Sequence, residues 1–265
     1  MKAKKSYGQH FLINEHVAKN IVDRIPIKLP RENVLEVGPG KGVLTKYLLQ
    51  LPITLKAVEA DQDMIEFLKS QYPDIDHILI HKDFLKLDLG SIFNYSPFTL
   101  IGNFPYNISS QILFRMIAYR EFIPQMIGMF QREVAERIVA PPGNKTRGSI
   151  SVLTQAYYEG KVFQKVSPGS FSPPPKVQSA VIHLTRKENY TLPCNESLFK
   201  SIVKISFGQR RKMLRNTLKG MIDADHNIFK EDIFSLRPEQ LTLNQFISLT
   251  QQIEEIQKES QNGKS

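Results

Sequence analysis

Long apolar runs are scarce in this chain. The longest, Phe122 to Phe130, is interrupted by Gln125 and is far too short to span a bilayer. No apolar stretch follows the opening Met1-Lys-Ala-Lys-Lys, so a secretory signal is not expected there. Cysteine is nearly missing as well. Cys194 alone excludes an intrachain disulfide and fits a reducing compartment, so a cytoplasmic location away from membranes is expected. There is no internal repeat. No metal site is expected either, because His77 and His81 sit on a predicted strand, ~13 Å from end to end at strand rise. Acidic residues are absent from Lys200 to Lys219, where Lys200, Lys204, Arg210, Arg211, Lys212, Arg215 and Lys219 supply seven basic ones.

What is present describes an ordinary globular chain, 41% hydrophobic and 23% charged, with 265 residues for one α/β domain and a smaller appendage. The net charge of +9 (35 basic minus 26 acidic residues) is concentrated rather than spread, since the segment from Met221 onward is net acidic. A concentrated basic segment suits a polyanion partner, although a solvated helix face explains one basic helix equally well.

Apolar periodicity predicts a helix over Glu15–Ile25, then strands at Asn33–Val37, Ile53–Val58, His77–His81, Phe98–Gly102 and Met126–Phe130. Helices are predicted between them, with further ones at Glu133–Val139 and Ser149–Tyr158. This alternation implies βαβ units and a mostly parallel sheet. Lys161–Val166 and Val177–Leu184 then read as two strands joined by a Pro-rich loop without a crossover helix, which predicts an antiparallel hairpin at the end of the sheet. A polar linker follows at Lys187–Asn195, and then only helices: Leu198–Phe207, Lys212–Leu218 and Leu243–Ile256, with frayed residues after Lys258. The expected fold is therefore α/β, a Rossmann-like sheet in residues 1–188 with a small all-helical domain in residues 189–265.

In such a sheet ligands bind at the carboxyl ends of the strands, where strand order reverses. The first of these ends is Glu36-Val-Gly-Pro-Gly-Lys-Gly42, in which Gly38 and Gly40 allow close approach to the main chain. Its spacing is G-x-G-x-G, not the G-x-G-x-x-G of a pyrophosphate site, so a bound NAD explains it poorly. Glu59 closes the second strand, 21 residues after Gly38, where a carboxylate can accept two ribose hydroxyls. Asp83 follows the third strand and can accept from the exocyclic amine of adenine, with Phe84 beside it to pack on that ring. Either acid alone is an ordinary cap or loop residue. Glycine, acid and acid at three consecutive strand ends point to an adenosine-containing ligand. Here the chain resembles the class I S-adenosylmethionine methyltransferases, and the resemblance implies that Gly38 and its neighbours face the methionine moiety.

The fourth strand ends in Ile101-Gly-Asn-Phe-Pro-Tyr106, which matches the Asn-x-Pro-Tyr signature of enzymes that methylate amino groups conjugated to an aromatic ring. An adenine amine is a weak nucleophile because its lone pair is delocalised. Two acceptors on its N–H bonds favour the pyramidal, cationic nitrogen of the transition state. Asn103 offers a side-chain carbonyl and Phe104 its main-chain carbonyl, which Pro105 holds in an extended geometry. Tyr106 provides a face for an extruded base, and Phe171 in the loop Phe171-Ser-Pro-Pro-Pro-Lys176 is the candidate for the opposite wall. A rigid edge linker is the rival account of that loop.

Together with the arm Tyr7-Gly-Gln-His-Phe-Leu12, whose Gln9 and His10 can close over the cofactor, and with Phe207-Gly-Gln-Arg-Arg-Lys212, these motifs are similar to the ribosomal RNA adenine N6-dimethyltransferases in their small-subunit form. The resemblance runs from about Lys5 to Ile256. It implies S-adenosylmethionine as cofactor, dimethylation of two adjacent adenosines near the 3′ end of 16S rRNA in a pre-ribosomal particle, and a monomer. It also implies that His10, Leu12, Gly38, Glu59, Asp83 and Asn103 contact the cofactor. Phe104 departs from the more usual Leu or Ile, and Gln178 from a frequent Asp. Arg211, Arg215 and Lys219 recur every fourth residue and are expected to line one helix face that tracks RNA phosphates. The alternative readings are a large-subunit adenine N6-methyltransferase of the macrolide-resistance type and a non-catalytic RNA-binding assembly factor.

Overall fold

The computed structural model describes residues 10–27 and 31–262, the side chains of 261 and 262 excepted. The basic opening segment, with Gln9, and the last three residues lie outside the described residues. The chain forms two compact units, one of described residues up to Ala135 with Glu159–Arg186, the other of Glu136–Tyr158 with Lys187 onward. Residues 136–158 thus belong with the helices, a division that the change in composition after Lys187 does not reveal.

The first unit is built on a seven-stranded sheet. Its strands are β2 (Glu32–Val37), β3 (Ile53–Glu59), β4 (Leu79–His81), β5 (Thr99–Asn103), β6 (Gln125–Gln131), β7 (Tyr158–Val166) and β9 (Ser179–Arg186), in the order β4-β3-β2-β5-β6-β9-β7. The strands from β4 to β6 are parallel, and β9 enters antiparallel to β6, with Ser179 opposite Gln131 and Thr185 opposite Gln125. Two short strands, β1 (Phe11–Leu12) and β8 (Phe171–Ser172), form a separate antiparallel pair that periodicity over two residues cannot reveal.

Strands covered on both faces need continuous apolar runs, and β2 and β5 have them: Val34, Leu35, Val37, Leu100 and Ile101 are all buried. Helix α1 (Glu15–Val22) starts where the Asn14 side chain accepts the Val17 N–H at 3.1 Å, and it buries Val17, Ala18, Ile21 and Val22. These join Leu48, Ala57, Ile101, Ile127 and Val181 in the core. The connecting helices α2 (Thr45–Leu48), α3 (Gln62–Gln71), α4 (Ser109–Ala118) and α5 (Arg132–Ile138) follow the predicted alternation.

In the second unit, α6 (Ser149–Gln155) stops before Tyr158, which begins β7 instead of closing the predicted helix. Helix α7 (Glu196–Gly208) is capped by Asn195 and buries Phe199, Ile202 and Val203, and its Phe207 ring lies 6.1 Å from Phe246 of α9 (Leu243–Asn262). Helix α9 continues to Asn262, into the segment expected to fray. The predicted helix at Lys212–Leu218 shrinks to α8 (Leu214–Thr217), because Met213 is extended with ψ 155°. Arg211, Arg215 and Lys219 therefore do not share one helix face. All three are exposed, but only Arg215 is helical. No strand follows Arg186 among the described residues, and no described helix is long and apolar enough to cross a membrane.

Candidate active site

The parallel sheet brings the carboxyl ends of β2, β3, β4 and β5 to one edge. Strands β3 and β4 lie on one side of β2 and β5 on the other, so strand order reverses between β2 and β5. A cavity of about 460 Å³ opens there. His10, Leu12, Gly38, Gly40, Glu59, Asp83, Phe84, Asn103, Phe104 and Pro105 all line it. Residues from five separate stretches of sequence converge there.

The glycine turn is shaped by Glu59. Its Oε2 accepts the Gly40 N–H at 3.1 Å, and its Oε1 accepts those of Ala60 at 2.9 Å and Asp61 at 3.0 Å. Burial pushes the Glu59 pKa above the ordinary carboxylate range, opposed by those main-chain N–H groups. Gly40 has φ +54°, and a Cβ on it would sit 3.2 Å from the Phe11 ring. The positive φ favours glycine there, and any side chain would also crowd that ring. On the far side of the turn, a Cβ added to Gly38 would reach Pro105 Cδ at 3.9 Å, so the Asn-Phe-Pro-Tyr turn faces the glycine turn.

Asp83 caps a single 3-10 turn, its Oδ1 accepting the Leu85 N–H at 2.9 Å, and Phe84 beside it is buried. The Asn103 Nδ2 donates to the main-chain carbonyl of His10 at 2.9 Å. The turn uses two of its own carbonyls, Pro105 O accepting the Ile108 N–H and Tyr106 O the Ser109 hydroxyl, which leaves Phe104 O outside the turn's bonding among the described residues. The Phe104 side chain points away into the core, 1% exposed and edge-on to Phe130 at 5.3 Å.

Two predicted residues do not line this cavity. Tyr106 is half-buried behind His10, whose ring stacks on it at 5.5 Å, and its hydroxyl is 2.5 Å from Ser179 Oγ. Burial pushes the phenol pKa up, so it stays neutral. Phe171 is not a wall of the cavity. Its pairing with Leu12 across β1 and β8 places it in the core with Leu12, Met129, Val166 and Val181, 2% exposed. The short β1–β8 pair is the physical reason for that correction.

The sequence reading passed over Glu36, a cavity-lining carboxyl that is 1% exposed and accepts the Thr45 hydroxyl at 2.8 Å. Burial, offset by Thr45 and reinforced by Glu59, raises its pKa to about 8. An ionisable residue inside an otherwise apolar strand was the available signal. Among the described residues, no cluster of three or more His, Cys, Asp or Glu is placed to hold a metal ion.

Over residues 1–258 the sequence matches the family described as ribosomal RNA adenine dimethylase. The chain belongs to that family. The ribosomal RNA small subunit methyltransferase A of Flavobacterium johnsoniae is 51% identical over 96% of this chain and 97% of that protein. Its namesake from Phocaeicola vulgatus is 48% identical over 96% and 90%. Among solved structures, a dimethyladenosine transferase from Plasmodium falciparum superposes with a TM-score of 0.76 at 26% identity, covering 91% of this chain and 96% of that one. The 23S rRNA methyltransferase ErmE, at 21% identity and a TM-score of 0.66 over 91% and 99%, shares the fold.

The chain is accordingly a methyltransferase that uses S-adenosylmethionine. The cavity fits that cofactor. Glu59, with both oxygens oriented by main-chain N–H groups, would hold the ribose, Asp83 and Phe84 would take the adenine ring, and the glycine turn would leave room for the amino-acid end. When bound, the cofactor supplies an electrophilic methyl group.

Proposed function

We propose that this chain dimethylates the N6 amines of two adjacent adenosines near the 3′ end of small-subunit rRNA, in a pre-ribosomal particle in the cytoplasm and as a monomer. The observation that carries the reading is Asn103, on the same cavity as Glu59, Asp83 and the glycine turn. The names of the relatives in Flavobacterium johnsoniae and Phocaeicola vulgatus support the small subunit over the large.

In this reading Asn103 Oδ1 and Phe104 O accept the two N–H bonds of the target amine and favour its pyramidal geometry as charge develops. Pro105 keeps Phe104 extended so that its carbonyl faces the amine. The reaction is a direct displacement governed by positioning, with no covalent enzyme intermediate. Arg211, Arg215 and Lys219, all exposed, are assigned to RNA phosphates, as a cluster on a turn and a short helix.

The test is mass spectrometry of isolated small and large subunits after incubation with the protein and S-adenosylmethionine. Dimethyladenosine in small-subunit rRNA is the expected product. Label only in the large subunit, or none in either, would overturn the proposal. With Asn103→Ala, loss of the product is expected, whereas a purely structural assembly role predicts no dependence on that side chain.

A further inference from the structure

We propose that His10 is a positioning residue for methyl transfer: its main-chain carbonyl sets which end of the Asn103 amide faces the target amine, and its ring holds Tyr106 in place. The inference rests on the adenine-methylation reading and gives His10 a role on the substrate side, beyond contact with the cofactor.

A carboxamide has two similar ends with opposite hydrogen-bonding character. If the NH2 end faced the adenine amine, donor would meet donor and the pyramidal nitrogen would lose its acceptor. A carbonyl beside the amide removes this ambiguity, since only the NH2 end can bond to it. The His10 carbonyl lies 2.9 Å from Asn103 Nδ2, so Oδ1 is the end presented to the amine. The carbonyl is itself held in place. The His10 Nδ1–H donates to the Pro173 carbonyl at 2.9 Å, and the next two residues pair with Phe171 and Ser172. Its ring stacks on Tyr106 at 5.5 Å and 29°, and the Tyr106 hydroxyl is tied to the buried Ser179 at 2.5 Å. One residue thereby links the Pro-rich loop to both functional side chains of the catalytic turn.

Two variants test this through readouts that simple packing would not move. Asn103→Asp keeps an acceptor for the amine, but an ionised carboxylate cannot donate to the His10 carbonyl and is repelled by it. A protonated one can donate. The expected result is a single-turnover rate about 10²-fold below wild type near pH 8, recovering relative to wild type as pH is lowered towards about 5, where more of the carboxyl is protonated. An Asn103→Asp enzyme with the wild-type rate near pH 8, or one whose deficit does not change with pH, overturns the proposal. His10→Ala keeps the carbonyl but loses the ring. It should lower kcat about tenfold even at saturating S-adenosylmethionine, where any accompanying loss of cofactor affinity no longer limits the rate, and His10→Asn should recover part of the loss by donating to Pro173 O. A weakened Kd with unchanged kcat would assign His10 to the cofactor alone and overturn the proposal. Failure of the unaltered protein to methylate adenine is a separate result, and it removes the functional reading itself.

Discussion

Glu59 and Glu36 line the same cavity and are both buried, yet they are held in different ways. Three main-chain N–H groups orient Glu59, whereas one hydroxyl meets Glu36. Glu59→Gln would turn an NH2 group towards at least one of those N–H donors. A hydrogen bond to a charged group contributes about 1.5–3 kcal/mol, so cofactor affinity should fall roughly tenfold to a hundredfold, measurable by calorimetry. Glu36 makes a prediction about pH. Its pKa is raised from 4.5 to about 8 by burial, so the folded state holds its proton where the unfolded chain has lost it. That contribution to stability is fully present below pH 4.5 and is lost as pH rises towards 8. Thermal melts of Glu36→Gln should therefore decline less steeply than wild type between those limits. Equal slopes would show that Glu36 ionises freely in the folded protein.

At the scale of elements, the Phe104 ring couples the sheet to the Asn-Phe-Pro-Tyr turn. A Cβ on Gly128 of β6 would lie 2.1 Å from Phe104 Cε2, an overlap no side-chain adjustment can absorb at a fully buried ring. Gly128→Ala should destabilise the protein by about 1–3 kcal/mol, and kcat should fall with it if the displaced ring draws the Phe104 main chain along. Denaturant melts and single-turnover rates would check both effects, and an unchanged rate would detach the ring from the chemistry. The sheet that creates this coupling was legible from the sequence, since buried parallel strands write themselves as apolar runs between glycine and acid. The site residues at strand ends were legible for the same reason. Phe171 was misread because its position depends on a two-residue pairing with Leu12, which leaves no periodic trace. The supposed basic helix was misread because Met213 adopts an extended conformation between residues of good helical spacing. Glu36 was passed over because strand patterning treats an interior acid as an interruption instead of a buried group facing a cavity.

At the scale of the whole molecule, the excess of nine positive charges gains its meaning from where it stands. Seven basic residues without an acid between Lys200 and Lys219 lie in the helical unit, and the strand ends that form the cavity belong to the other unit. Phosphate contact and methyl transfer are then separable by experiment. Replacing Arg211, Arg215 and Lys219 together with Gln removes up to three phosphate contacts. It should lower the slope of log affinity against log salt by about 2 for single-stranded sites, at roughly 0.7 per contact. The same triple variant should bind S-adenosylmethionine with unchanged affinity, because none of the three lines the cavity. RNA binding measured over a salt series, beside calorimetry with the cofactor, reads both quantities. An unaltered salt slope would move the RNA contact to other cations, and a fall in cofactor affinity would show that the charges act on the cavity after all. Because α8 is short, the three charges belong to a turn, one helical position and a second turn, so their contributions should differ when each is replaced singly. Three equal decrements would favour the uniform helix face that the structure does not contain.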